Sequence, residues 1–291
     1  MIDYDPHKWR TTFFAVKGSM VRVIAFRSMM VTLVALAFTW VHFNLYEFKV
    51  SNGMAVHTIV GPALGLLLVF RTNQSYDRWW EGRKLWGGMV NTCRNLARAA
   101  SVHLASQPER LNRVLALTQS FPASCVAVLR GKAWAPEGLE PEDVTAIAAR
   151  NHAPTAICQR ITTVLEEERR AGRLTDIVFT SIDHNNQQLV DLIGACERIH
   201  KTPLPFAYVV HLRRALVLYC ATLPIALVST FGWSTVGIVF GVTYIMLGIE
   251  EIGVEIEDPF EGDDNDLPLE RITDGIQKGV GSYRASVAGG R

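Results

Sequence analysis

The side chains best able to do chemistry gather in two short runs. The first, 71-RTNQSYDRWWEGRKLWG-87, sets Arg71, Arg78, Arg83 and Lys84 among Asn73, Asp77 and Glu81. Asp77 and Glu81 stand four residues apart, where two carboxylates on one helix face repel each other unless cations match them. Trp79, Trp80 and the arginines could each be an interfacial anchor. Anchoring leaves the carboxylates and Asn73 without a role, whereas a buried charge cluster at a subunit or domain junction accounts for all of these residues. The second run, 258-DPFEGDDNDLPLE-270, is acidic. It reads either as a solvated loop or as a cation site, because Ca²⁺ and Mg²⁺ take oxygen ligands. No His-Glu-x-x-His, phosphate-binding Gly-Lys loop, Gly-x-Ser-x-Gly or dinucleotide fingerprint occurs. Cys93, Cys125, Cys158, Cys196 and Cys220 are scattered and form no CxxC, so reduced thiols are expected and neither a disulfide framework nor a zinc site.

The elements that must hold these groups are defined by where charge is missing. The 291 residues carry 29 Lys+Arg and 28 Asp+Glu, a balance that gives no footprint for nucleic acid. Residues 28–46, 50–70 and 215–249 contain no Asp, Glu, Lys or Arg. A helix needs about 20 apolar residues to cross the hydrocarbon core. Residues 28–46 and 50–70 therefore read as one crossing each, and 215–249 as a hairpin divided by Gly232-Trp233-Ser234. The first segment is not a signal peptide, since no small-residue cleavage site follows it. The second contains Gly61, Pro62 and Gly65, odd choices for a helix that faces only lipid.

Orientation follows the cations near the segment ends. Lys8, Arg10, Lys17, Arg22 and Arg27 precede the first segment, Arg71, Arg78, Arg83 and Lys84 follow the second, and Arg198, Lys201, Arg213 and Arg214 precede the third. The two intervening turns offer Lys49 alone. The expected organisation is a cytoplasmic N-terminal segment (1–27), two transmembrane helices (28–70), a cytoplasmic helical region (71–214), two more transmembrane helices (215–249) and a cytoplasmic C-terminal segment (250–291). Trp9, Trp79, Trp80 and Trp233 suit interfacial belts. Glu250, Glu251, Glu255, Glu257, His42, His57 and His211 lie near membrane ends and read as solvated or interfacial.

The region 71–214 reads as all helix. Leu85, Met89, Cys93, Leu96, Ala100 and Leu104 form one apolar stripe. Pro108 marks a new helix start, 131-GKAWAPEGLEPED-143 a loop, and helices are expected from about Pro154 to Arg170 and from Thr175 to about His200, where Pro203 and Pro205 intervene. The stretch 279-GVGSYR-284 reads as a flexible tail.

The run 71–87 resembles the signature of the bestrophin family, in particular its bacterial members. Two further blocks, 194-GACERIHKTPLPFAY-208 and 258-DPFEGDDNDLPLERI-272, are similar to that family in the same order and spacing, so the resemblance runs from about residue 15 to 275. It implies an all-α homopentameric ion channel of the bacterial inner (plasma) membrane, with one pore on the five-fold axis and no cofactor required. The family's pore neck falls on Pro62, Leu66 and Phe70, whose spacing of four keeps them near one helix face. Many relatives carry Ile or Phe at the first two positions, so Pro62 implies a wider outer ring. A neck of apolar rings gates by dewetting. The family's cytosolic aperture falls near Thr180, with Ile177 and Ile182 as alternative registers. In animal bestrophins the acidic loop forms a calcium clasp; Asp258, Asp263 and Asp266 match its ligand positions, while Gly262 stands where the clasp has Glu.

The reading that follows is a passive channel for small monovalent ions, chloride-type by family, with cation conduction open in the bacterial branch. Its partners would be further copies of itself, membrane lipid and the permeant ions, and it would be no enzyme. Two alternatives stand beside it. One is an Mg²⁺-dependent transferase acting on a lipid diphosphate, with Asp263, Asp264, Asn265 and Asp266 facing Asp77 and Glu81. The other is a non-conducting membrane scaffold.

Overall fold

A computed structural model describes residues 2, 5, 7, 8, 10, 13–16, 18–48 and 53–289, with side chains as far as 285. Trp9, Lys17 and Lys49 lie outside the described residues. Every regular element among those described is a helix: α1 (Val21–Asn44), α2 (Gly53–His103), α3 (Pro108–Leu129), α4 (Pro141–Ala148), α5 (Ala153–Arg170), α6 (Asp176–Lys201), α7 (Phe206–Phe231), α8 (Ser234–Glu255) and α9 (Leu269–Gly289). The chain divides into two compact units, one of residues 1–79 and 203–258, the other of residues 80–202 and 259–291.

In the first unit α1, α2, α7 and α8 are long and apolar enough to cross a membrane. Their outward faces are apolar, including Val34 on α1, Leu218 on α7 and Ile245 on α8. In lipid such a face needs no cover, and every backbone polar group must be satisfied inside the helix. What the unit buries is small and closely fitted: Ala35 of α1 meets Leu223 and Leu227 of α7 and Val239 of α8. Leu68 of α2 packs on Leu212 and Leu216 of α7. The hairpin between α7 and α8 turns through Gly232 at φ 55°, a conformation that costs an L side chain roughly 1–2 kcal/mol. Its neighbour Trp233 stacks on Phe43 at 5.7 Å between ring centroids. Both hairpin helices run past the charge-free block, starting at Phe206 and ending at Glu255.

The second unit has the opposite solvent logic. Trp86, Met89, Cys93 and Leu96 from the stripe on α2 are fully buried, with Leu115 and Phe121 of α3 and Ile161 of α5. α3 packs on α5, α6 and α9, and α5 also packs on α4 and α6. Ion pairs knit these helices. Arg113 of α3 donates to Asp143 of α4 at 2.7 and 2.8 Å, and Arg160 of α5 donates to the same carboxylate at 2.6 Å. Burial alone would push Asp143 up, but the two guanidinium groups outweigh it and hold the carboxyl below its ordinary range. Helix starts follow side-chain chemistry: Thr175 accepts from Val178 N at 3.3 Å and His152 from Thr155 N at 3.3 Å.

Two expectations change here. α4 is a helix that the sequence reading did not separate from its surroundings. The stretch 279–284 is no tail but part of α9, because Ile276 and Val280 are fully buried and Gln119 of α3 donates to Gln277 O at 3.1 Å.

Candidate functional site

α2 is one unbroken helix of 51 residues, with Pro62 inside its first half. Its two faces differ sharply in the first unit. Leu64, Leu68, Arg71 and Ser75 are buried, whereas Pro62, Leu66 and Phe70 are exposed, the latter two at 55% and 51%. At about 100° per residue the two sets lie roughly 170° apart around the helix. Thus Pro62, Leu66 and Phe70 point away from the rest of their own chain. Gly61 serves the buried side: a Cβ there would lie 2.9 Å from the Tyr219 hydroxyl of α7. At the same junction His57 shares a hydrogen bond with Thr222 at 3.1 Å. Gly65 has no neighbour within 4 Å, so its smallness serves no contact inside this chain.

Directly after Phe70 the helix turns a charge inward. Arg71 is 1% exposed, with Nη1 3.3 Å from Glu250 Oε1 and Nη2 3.7 Å from Glu257 Oε2. Glu250, itself 3% exposed, also accepts from Arg213 Nε of α7 at 2.8 Å. Glu257 Oε1 accepts from Leu204 N at 2.9 Å, and Arg78 donates to Glu257 O at 2.8 Å. Arg27 pairs with Glu251. The buried charge cluster expected of the 71–87 run therefore exists, but with other carboxylates. Asn73 and Asp77 are exposed, Trp80 is largely exposed, Trp79 stacks loosely on Tyr76, and Glu81 binds Arg198 in the second unit at 2.7 Å. Sequence reasoning took Glu250 and Glu257 as solvated or interfacial; the structure buries the first and half-buries the second. Their spacing of seven matches that of Arg71 and Arg78, the one sequence signal that could have paired them. Desolvating such groups is expensive, so the cluster is weak evidence for stability, whereas removing one partner strands a buried charge at a cost of roughly 3–5 kcal/mol.

The aperture candidates separate by burial. Ile177 is 83% exposed, and Thr180 is exposed with its hydroxyl donating to Asp176 O at 2.8 Å. Ile182 is fully buried in the core of its own unit.

In the acidic loop the Asp266 carboxylate is tied to its own backbone. Among the described residues no group of three or more His, Cys, Asp or Glu is arranged to hold a metal. Asp258 belongs to the first unit, and Asp263 and Asp266 to the second. Asp266 is buried, and its Oδ2 accepts from the backbone of Gly262 at 2.6 Å and of Asp263 at 2.8 Å, so it ties its own loop. Gly262 sits at φ 113°, and a Cβ there would lie 3.1 Å from the Arg130 guanidinium carbon. Arg130 also donates to Phe260 O at 3.1 Å and pairs with Glu270. A fixed guanidinium beside the loop repels a second cation. Asp266 thus serves the loop's own structure, and Asp258, Asp263 and Asp266 are not gathered into one group of ligands among the described residues.

An all-helical chain with four apolar spans, an outward Pro-Leu-Phe face and a charge cluster beneath it defines a membrane protein of the bestrophin type. The model of the bacterial and fungal bestrophins matches residues 1–282, and the chain belongs to that family. Its curated relatives include the voltage-dependent anion channel-forming protein sll1024 of Synechocystis sp., 37% identical over 280 residues, covering 94% of this chain and 91% of that one. The voltage-dependent anion channel-forming protein YneE of Escherichia coli K12 is 31% identical over 281 residues, covering 95% and 92%. Among solved structures, a bacterial bestrophin homologue from Klebsiella pneumoniae is 28% identical with a TM-score of 0.84, covering 92% of this chain and 98% of that one. The two curated relatives are named as channel-forming proteins and not as enzymes, which sets the transferase reading aside.

Proposed function

We propose that this protein is a passive ion channel in which five copies surround a central path and α2 of each copy lines it. Pro62, Leu66 and Phe70 form the apolar neck, and Thr180 or Ile177 the inner aperture. The observation that carries this is the divided face of α2: side chains that a lone helix in lipid has no reason to set opposite a buried arginine point away from their own chain. Names of relatives as anion channel-forming proteins support an anion path. The permeant ions are small and monovalent, with cation conduction the variant to be tested. The protein sits in a bacterial inner membrane, with both termini and residues 71–214 on the cytoplasmic side, as the cation bias of the segment ends supports. No metal is needed for gating.

Rings of apolar side chains resist wetting, so trimming them widens and hydrates the neck. In liposomes, Leu66→Ala and Phe70→Ala should raise flux or abolish its gating. Wild-type flux and gating in both variants would reject the neck. Reversal potentials in asymmetric NaCl decide the sign of the permeant ion, and the mass of the detergent-solubilised particle decides the number of copies.

A further inference from the structure

We infer that Glu250 of α8 is the positioning residue of the neck: by holding Arg71, its carboxylate sets the rotation of α2 and thereby the direction in which Phe70 points. The inference rests on the pore-lining reading of α2 and adds to it the group that orients it. Phe70 and Arg71 are consecutive, about 100° apart on the helix, so fixing one fixes the other. The last turns of α8 and the residues just past its end build the trough in which Arg71 lies. Glu250 Oε1 is 3.3 Å from Nη1. Gly253 leaves room for the stem, since a Cβ there would lie 3.3 Å from Nε and 3.6 Å from both Cγ and Cδ. Glu257 comes no nearer than 3.7 Å, and its Oε1 is already engaged by Leu204 N at 2.9 Å.

Arg71 Nε and Nη1 both lack a hydrogen-bond partner, so this buried cation is compensated by ion pairing, and Glu250 is the nearer and more deeply buried of its two carboxylates. The same oxygen of Glu250 also accepts from Arg213. With that carboxylate neutral, two guanidinium groups from α2 and α7 would face each other without compensation. Arg213 is already half-exposed and can turn to solvent. Arg71 is enclosed, and it can be resolvated only if α2 rolls, which carries Leu66 and Phe70 with it. Glu250 touches neither ion nor neck; it acts through Arg71.

The test uses the full-length protein in liposomes, with flux and the modification rate of a Phe70→Cys reporter by a water-soluble methanethiosulfonate. The native cysteines are all buried and should stay silent. Glu250→Gln should change both readouts by at least about tenfold, because an uncompensated buried charge shifts an equilibrium by more than that. Glu250→Asp should return them toward wild type. Gly253→Ala keeps every charge but crowds the Arg71 stem, so it should move both readouts the same way, and it carries the test alone should Glu250→Gln fail to fold. Asp143→Asn breaks a comparably buried pair in the second unit; it should lower the melting temperature and leave both readouts unchanged. Wild-type flux and labelling in the Glu250 and Gly253 variants would overturn the inference, as would an equal change in Asp143→Asn. Labelling that follows Glu250 while Phe70→Ala leaves flux untouched would uphold Glu250 as the orienting group and reject the neck instead. A neck sensitive to Phe70→Ala with labelling indifferent to Glu250 would do the reverse.

Discussion

The two units put the same materials to opposite uses. In residues 1–79 and 203–258, large apolar side chains lie outside, and ion pairs with buried members collect where the start of α7 and the end of α8 meet Arg71 of α2. In residues 80–202 and 259–291, apolar side chains fill the interior, and ion pairs on the buried carboxylates of Asp143 and Glu168 tie neighbouring helices. The hydrophobic effect drives packing only against water; in lipid, close fit and polar contacts must do it. A charge in the first unit is therefore informative about orientation, while one in the second is mostly about stability.

That contrast can be broken in four ways. The largest effect should come from Asp143→Asn, which strands Arg113 and Arg160 and should cost roughly 3–5 kcal/mol, read as a lower melting temperature with conduction intact. Because Asp143 is held below the ordinary carboxylate range, its contribution is complete above that range and fades as pH falls through the depressed value. The wild-type melting temperature should thus drop in acid, and that of Asp143→Asn should drop less. Next comes a matched pair on α2. Leu68→Ala, on the buried face, should cost stability by roughly 2–5 kcal/mol, whereas Leu66→Ala, on the outer face, should spare the melting temperature of the isolated chain and act on flux. Equal destabilisation by both would erase the division of α2 into two faces. Thr175→Ala removes the cap of α6 and should cost about 1 kcal/mol, with slightly faster amide exchange in the first turn as the local sign. Smallest of all, adding Ca²⁺ or a chelator should leave both melting and flux where they were; a shift in either would restore the acidic loop as a cation site.

Much of the architecture was legible in the chain. Charge-free segments located the spans because a bilayer excludes ionised groups over a fixed thickness. Gly232 marked the hairpin because its φ of 55° suits glycine, and Thr175 marked a helix start because its side chain is the cap. What escaped depended on distant contacts. Nothing local to Glu250 distinguishes it from Glu251, yet one is buried against Arg71 and the other meets Arg27. Ile177 and Ile182 are chemically alike, and only the packing of α6 decides that one is outside and the other inside. The end of the last helix reads as a loose tail from the GVGSYR stretch alone, although Leu269, Thr273, Ile276 and Val280 carry a buried helical stripe. Candidate neck positions came from resemblance; their outward direction came only from the structure.

The tight reversal at Gly232 and Trp233 has a bearing on biogenesis. Two residues give the translocation machinery no hydrophilic segment to grip and no cation to retain, so α7 cannot settle in the bilayer first and wait for its partner. The pair is therefore expected to enter as one folded-back hairpin, bend first, with Arg213 and Arg214 holding its base, and a charge engineered into the bend should hinder both helices at once.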